Sequence, residues 1–323
     1  MYFGNLADKK LYLEIFQNYN KFEEYNIVFG LDHVICFYVQ EEEYIDISGY
    51  SKEAAFIQFQ YNYEKLNYFF YPYFFELFIT ILSWGWNICF YSTQRPKIDE
   101  ILLEKYFTKF LAQYTKEPKE FYRYLLKEER IRIFSGDMIQ STFTTKDLQG
   151  SFDLEHLLKK DLSIVSEETS NTILIEHFRP FVLGGQYPYI ALDGNASINF
   201  SIYFELILEM CLNKQEKEIT VEFLETNYSA SNNAFYIGGI LSHIKNLLKL
   251  NMAYSLRQAL DIAIHNKEYY KGSMPKHIYD TPWHLSPIPA LNPLSAKFIR
   301  AGEKTLKDFQ KKSARLLDPI MSQ

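Results

Sequence analysis

Asn26-Ile27-Val28-Phe29-Gly30-Leu31-Asp32-His33-Val34-Ile35-Cys36-Phe37-Tyr38-Val39 is the stretch on which the fold class turns. Apolar and β-branched residues run almost unbroken on either side of Gly30, Asp32 and His33. A strand buried on both faces, running into a loop, has this composition, whereas a half-solvated strand would alternate polar and apolar positions. Residues 26–39 are therefore expected to supply the first core strand.

Working outward, Glu41-Glu42-Glu43 marks an exit to solvent, and residues 44–63 alternate loosely, as a hairpin or flap does. Pro72 opens a helical pattern with Phe74, Phe75, Phe78, Ile79 and Leu82 on one side, closed by Ser83-Trp84-Gly85. A strand is expected over 87–91 and a helix over 97–111. Strand, helix, strand, helix is the rhythm of a parallel sheet, so the expected class is α/β, a Rossmann-like parallel sheet with helices on both faces. Further along, 121–145 reads as short strands, 152–158 as a helix, 172–175 and 189–192 as strands, and 200–212 and 234–263 as helical. Five prolines between 275 and 293 make 271–293 an extended segment suited to partner contacts, and 296–316 a last, basic amphipathic helix. The expected organisation is an N-terminal extension (1–25), an α/β domain (26–215) and a helical C-terminal extension (216–323).

Composition narrows the function classes. A formal charge of −6 gives no general footprint for a polyanion, so nucleic acid is not an expected partner. Cys36, Cys89 and Cys211 are odd in number and widely spaced, which argues for buried thiols rather than a zinc site or disulfides. The most apolar stretch, 68–86, is broken by Pro72, Glu76, Ser83 and Gly85, so no transmembrane span is expected. Residues 1–25 carry acids without arginine, unlike a secretory signal or an ordinary transit peptide. The abundance of Tyr, Phe, Ile, Asn and Lys suggests an AT-rich coding sequence.

In a parallel α/β sheet the site lies at the carboxyl ends of the strands, near the switch in strand order. Four candidate ends are Val28-Phe29-Gly30-Leu31-Asp32-His33-Val34, Phe90-Tyr91-Ser92, Lys160-Asp161-Leu162-Ser163 and Ile173-Leu174-Ile175-Glu176-His177. In order and spacing they resemble the four motifs of the haloacid-dehalogenase superfamily, and most closely its CTD-phosphatase-like branch, also called NLI-interacting-factor-like. Pro72 fits that family's R-P-G proline, Ser92 its threonine, and Lys160-Asp161-Leu162-Ser163 its K-D-L-S letter for letter. Lys160 lies sixteen residues before Glu176, the separation that the family keeps between its lysine and its fourth-motif acid.

The resemblance implies a haloacid-dehalogenase-type sheet, and it also locates the departures. In such phosphatases the first aspartate attacks phosphorus, and with a fourth-motif aspartate it holds Mg²⁺. The nucleophile position here is Gly30, which has no side chain to attack or ligate. Asp32 keeps the family's second acid, His33 stands for its glutamate and Val34 for its threonine. Glu176-His177 replaces the acidic pair. The expectation is a pseudo-phosphatase with no catalytic residue and no cofactor, in which Gly30, Asp32, Ser92, Lys160 and Glu176 are relics.

Simpler roles stand beside these. Asp32 could cap a loop, Lys160 could be half of a solvated charge run or keep affinity for an anion, and His33, His177 and Glu176 could meet as N/N/O metal ligands or sit apart. The aromatic stripe from Tyr61 to Phe78 could be core or a partner face. The basic residues of 296–316 could touch anionic lipid, an acidic partner or only solvent.

A non-catalytic member of the same family, the phosphatase-like receptor of the mitochondrial presequence translocase, shows a similar pattern of loss. That resemblance implies a binding or structural subunit of a mitochondrial inner-membrane assembly, of respiratory-chain or protein-import type, with other protein subunits as partners. The competing expectations are a magnesium-dependent phosphatase of altered mechanism, a bacterial effector with a borrowed phosphatase fold, and a cytoplasmic location.

Overall fold

The computed structural model describes residues 15–16, 18–19, 24–31, 34–39, 55–92, 96–135, 160–176, 189–191, 232–265 and 293–321. Strand β1 (Asn26–Phe29) is buried at every residue, as its composition requires. It lies at the centre of a five-stranded parallel sheet with β5 (Asn87–Tyr91), β6 (Ile131–Phe134), β7 (Thr172–Glu176) and β8 (Tyr189–Ala191), in the order β6-β5-β1-β7-β8. Numbered along the chain, these five strands stand third, second, first, fourth, fifth, which is a Rossmann-like order. Its topological switch falls between β1 and β7.

The apolar stretch at 26–39 is not one strand. The Leu31 carbonyl accepts the N–H groups of Val34, Ile35 and Cys36 at 3.1–3.3 Å, a tight turn that lifts the chain out of the sheet. Cys36–Val39 then forms β2 of a second, antiparallel sheet with β3 (Ala55–Tyr61) and β4 (Glu64–Phe70), ordered β2-β4-β3. Strands β3 and β4 make a hairpin whose two turn residues, Asn62 and Tyr63, both have positive φ (48° and 69°), the backbone twist that suits a two-residue hairpin loop. The flap expected over 44–63 thus extends to Phe70, and its first part lies outside the described residues.

Helix α1 (Phe74–Ser83) is buried at all ten positions. A helix apolar nearly all round must be covered on every side, and α1 packs both against β5 and against two C-terminal helices, α4 (Asn232–Lys249) and α6 (Pro293–Met321). It ends at Trp84 and Gly85, whose φ of 88° an L side chain rarely adopts. Arg130 is fully buried and donates to the Leu82 and Gly85 carbonyls at 2.8 and 3.0 Å and to Asn87 Oδ1 at 2.6 Å, so it caps the carbonyls that the helix end leaves open. Burial pulls its guanidinium down to about 10. Tyr19 lies against it, ring centroid 4.2 Å away, and Asn18 donates to the Ser83 carbonyl, which fastens the chain before β1 to this corner.

Helix α2 (Pro96–Leu111) follows β5 as expected. Residues 118–127 correct the expectation of short strands over 121–145: Pro118–Lys127 is helix α3, begun by proline in its first turn and buried through Phe121, Tyr122 and Leu125. Only Ile131–Phe134 of that stretch is a described strand. The C-terminal helices α4, α5 (Leu256–His265) and α6 match the expected helices, with α6 beginning at Pro293.

The two sheet faces differ. Ile27, Phe29, Ile88, Phe90, Ile173 and Ile175 face a large core that also takes in α1 to α6 and the second sheet. Most of the stripe from Tyr61 to Phe78 belongs to it: Phe69, Phe70, Tyr71, Phe74, Phe75 and Phe78 are buried, and Phe70 stacks on Tyr106 at 4.0 Å, while Tyr63 at the hairpin turn is exposed. Val28, Cys89, Tyr91, Phe134 and Leu174 face a smaller core closed by Leu162 and Val165. All the described α-helices serve the large core, and the helices expected at 152–158 and 200–212, like the segment 271–292, lie outside the described residues. Helices α4 and α6 cross at close range: a Cβ on Gly239 would collide with the Phe298 carbonyl, and one on Gly302 with the Phe235 carbonyl. Among the described residues no helix is long and apolar enough to cross a membrane.

Candidate functional site

The carboxyl ends of β1 and β7 meet at the topological switch. Parallel pairing sets Phe29 beside Ile175, and the Gly30 N–H donates to the Ile175 carbonyl at 3.0 Å. Strand alternation then turns position 30, Tyr91 and Glu176 toward the face of the smaller core. A Cβ built on Gly30 would lie 2.7 Å from Glu176 Oε2 and 3.0 Å from Val34 Cγ2. The Glu176 carboxylate therefore stands in the space that a side chain at position 30 would enter.

Glu176 is held there by Lys160. Their side chains form an ion pair and hydrogen bond through Lys160 Nζ and Glu176 Oε2, with side-chain exposures of 3% and 1%. The Tyr91 ring lies 5.8 Å from the ammonium. Two charges this deeply buried must be paired, because either alone would carry a desolvation penalty of several kcal/mol.

The four letters after β6 each have a local part. Lys160 points inward. Asp161 caps the 3₁₀ turn Leu162–Ile164, accepting the Ser163 N–H at 2.9 Å. Leu162 closes the smaller core, and Ser163 is exposed. Lysine–aspartate–leucine–serine thus reads as charge, cap, plug and solvent contact, and Lys160 is not part of a solvated run.

Ser92 sits at the end of β5, buried, its N–H donating to the Phe134 carbonyl at 2.9 Å. Gly30, Ser92, Lys160 and Glu176 all fall at this end of the sheet. Asp32, His33 and His177 lie outside the described residues, so the proposed N/N/O ligand set reduces here to Glu176. Among the described residues no three His, Cys, Asp or Glu side chains gather as a metal site. Cys36 and Cys89 are buried, the Cys36 thiol donating to the Leu31 carbonyl at 3.7 Å, and burial pushes Cys89 up to about 11 against the opposing pull of Arg132; Cys211 lies outside the described residues.

Sequence reasoning noted the spacing of Lys160 and Glu176 but not their pairing, which depends on how a turn meets a strand end. It also missed two structural arginines, Arg130, which is buried, and Arg132, which is half-buried. Arg132 donates to the Val165 carbonyl at 2.9 Å and to Asn26 Oδ1 at 2.6 Å, tying β6 to β1 across the smaller core. A cation at alternate positions of an apolar strand, Arg130-Ile131-Arg132-Ile133, was the available signal. A cleft of about 460 Å³ opens between α2, α3 and β6, lined by Glu100, Glu104, Tyr122, Arg123 and Arg132 among others, and it touches none of the four site residues.

No protein-family model matches the chain, and no curated protein matches its sequence.

Proposed function

We propose that this chain is a haloacid-dehalogenase-type domain that has lost phosphoryl chemistry and serves as a binding or structural subunit of a larger, membrane-associated protein assembly. The observation that carries the proposal is the filled position beside Gly30. A phosphatase of this type needs a carboxylate on the first strand, a lysine free to gather phosphoryl oxygens and an acid free to share Mg²⁺. Here the first is a glycine, and the lysine and the acid neutralise each other. An incoming phosphate would have to displace the Glu176 carboxylate from Lys160, and a cation at Glu176 would face the Lys160 ammonium. Both routes begin by breaking a buried ion pair.

Two further observations support the type of domain. The parallel strands run third, second, first, fourth, fifth, and the motif-bearing ends of β1, β5 and β7 are adjacent. An antiparallel flap follows β1 directly. The mitochondrial setting rests on the resemblance alone.

The test is affinity capture of the tagged full chain from its own cells after mild detergent lysis, with the captured proteins quantified by mass spectrometry. The expected result is a fixed set of partners in stoichiometric amounts, including membrane proteins. Recovery of the chain alone, as a soluble monomer, would contradict the proposal.

A further inference from the structure

Helix α6 spends one face on the fold. Phe298, Gly302 and Leu306, spaced four residues apart, are buried against α4, and Gln310 donates to Glu76 Oε1 of α1 at 3.0 Å. The opposite face carries Arg300, Lys304, Lys307 and Lys311, all exposed. Steps of four, three and four residues keep these cations in one narrow row, about 17 Å long at the helical rise.

Nothing in the fold accounts for the row. Like charges three or four residues apart weaken a helix, and these four lie in the middle of α6, too far from its carboxyl end for the macrodipole to favour them. Lys307 pairs with Glu303, both side chains well exposed, which contributes little to stability. Arg300, Lys304 and Lys311 have no acid partner among the described residues. Helix α4, on which α6 lies, contains no Asp or Glu, and the one acid of α1, Glu76, is buried. In a chain of formal charge −6, four exposed cations in line run against the composition.

We infer that this row is the docking surface for an acidic helix of a partner protein, laid along α6 with its carboxylates at the same spacing. Charge complementarity calls for an anion, and the pattern selects its kind. A four-three-four row averages close to 3.5 residues per step, the period at which one helix holds a second alongside it. Glu303 and Asp308 fall on opposite flanks of the row, so its complement is a strip of carboxylates bordered by neutral or basic groups. A protein helix can carry that pattern, whereas a nucleic acid or an anionic bilayer would present like charge to both flanking acids. A bilayer would also find no anchor, since the only apolar residue among the exposed, described positions of α6 is Ala301. The inference gives the binding role proposed above a partner chemistry without resting on it.

The test is a fluorescence-anisotropy titration of the purified full chain against two labelled helical peptides of identical composition. One carries its glutamates in a row at four-three-four spacing, and the other carries them spread round the helix. The row peptide is expected to bind about tenfold more tightly than the spread one, with an affinity that falls as salt rises. Arg300→Gln/Lys304→Gln/Lys311→Gln should lower that affinity by about tenfold at an unchanged melting temperature, because the three side chains are exposed. Arg300→Glu/Lys304→Glu/Lys311→Glu should lower it by about a hundredfold and should instead bind a peptide with lysines in the row. No binding, equal binding of the two peptides, or affinity untouched by either triple substitution would each overturn the inference. So would a preference for phosphatidylserine vesicles or polyuridylate over the row peptide. None of these outcomes depends on whether the β1–β7 site is inactive.

Discussion

Gly30 and Glu176 share one space: a Cβ on Gly30 would stand 2.7 Å from Glu176 Oε2, while that carboxylate is held by Lys160 in a buried ion pair. On the proposed reading, the relation links the two departures from the phosphatase pattern. A side chain at position 30 would have to displace the Glu176 carboxylate from where it meets Lys160. Glycine at position 30 is then a packing match to the ion pair and, on that reading, also the loss of a nucleophile.

Placing an aspartate at position 30 should therefore not confer phosphatase chemistry. Gly30→Asp places a second carboxylate against Glu176 in a buried site. The expected result is a loss of stability of about 2–4 kcal/mol, from overpacking and like charge, with no phosphomonoesterase turnover. Urea denaturation and a Mg²⁺-dependent hydrolysis assay on the same preparation check both halves.

Breaking the ion pair from one side should cost more than removing it whole. Glu176→Gln leaves Lys160 buried without its carboxylate, and Lys160→Met leaves Glu176 likewise, each expected to destabilise by about 3–5 kcal/mol. The double substitution should cost clearly less than the sum of the two, because neither charge is then left uncompensated. A double-mutant cycle by chemical denaturation measures the difference.

The neighbouring glycines of α4 should behave oppositely. A Cβ on Gly239 collides with the Phe298 backbone, so Gly239→Ala must force α4 and α6 apart, at a cost of about 3 kcal/mol or more. At Gly238 the added carbon would meet Leu77 at 3.5 Å and Gly302 and Leu306 at 3.7 Å, ordinary contact distances. Gly238→Ala should be neutral or stabilising, since alanine gains up to about 1 kcal/mol over glycine in a helix. Thermal melts of the two variants distinguish these signs directly.

His243 gives the fold an acid-side weakness. Burial first, and the nearby Lys297 second, hold its imidazole below its ordinary value of 6.5. The unfolded chain therefore binds the proton more readily, and stability must fall as pH drops from about 6.5 toward the folded value. His243→Asn, which cannot take up the proton, should flatten that part of a stability-versus-pH curve. An unchanged slope would assign the acid sensitivity elsewhere.

Much of the sheet was legible because burial on both faces writes itself into composition. Ile27-Val28-Phe29, Asn87 to Tyr91 and Thr172 to Ile175 read as strands and are strands, and the rhythm of helices between them predicts a parallel sheet. What escaped depended on local geometry or distant partners. The turn on the Leu31 carbonyl, which sends Cys36–Val39 into another sheet, leaves no mark in an apolar run. Helix α3 was hidden by Phe121, Tyr122 and Tyr124, residues that favour strands where nothing else decides. Pro118 was the neglected cue.

The site was legible as positions and not as contacts. Spacing singled out Lys160 and Glu176, and the strand-end rule put both near Gly30. That the two neutralise each other follows only from where the turn before β7 delivers the lysine. Buried Arg130 and half-buried Arg132 illustrate the same limit, since their carbonyl and amide partners come from segments 33 to 106 residues away.

Hydrolysis of a generic phosphomonoester by the purified full chain in Mg²⁺, run beside Asp32→Asn, tests the loss of phosphoryl chemistry most directly. Both proteins are predicted to show no rate above buffer. Turnover by the unaltered chain that disappears in Asp32→Asn would contradict the account.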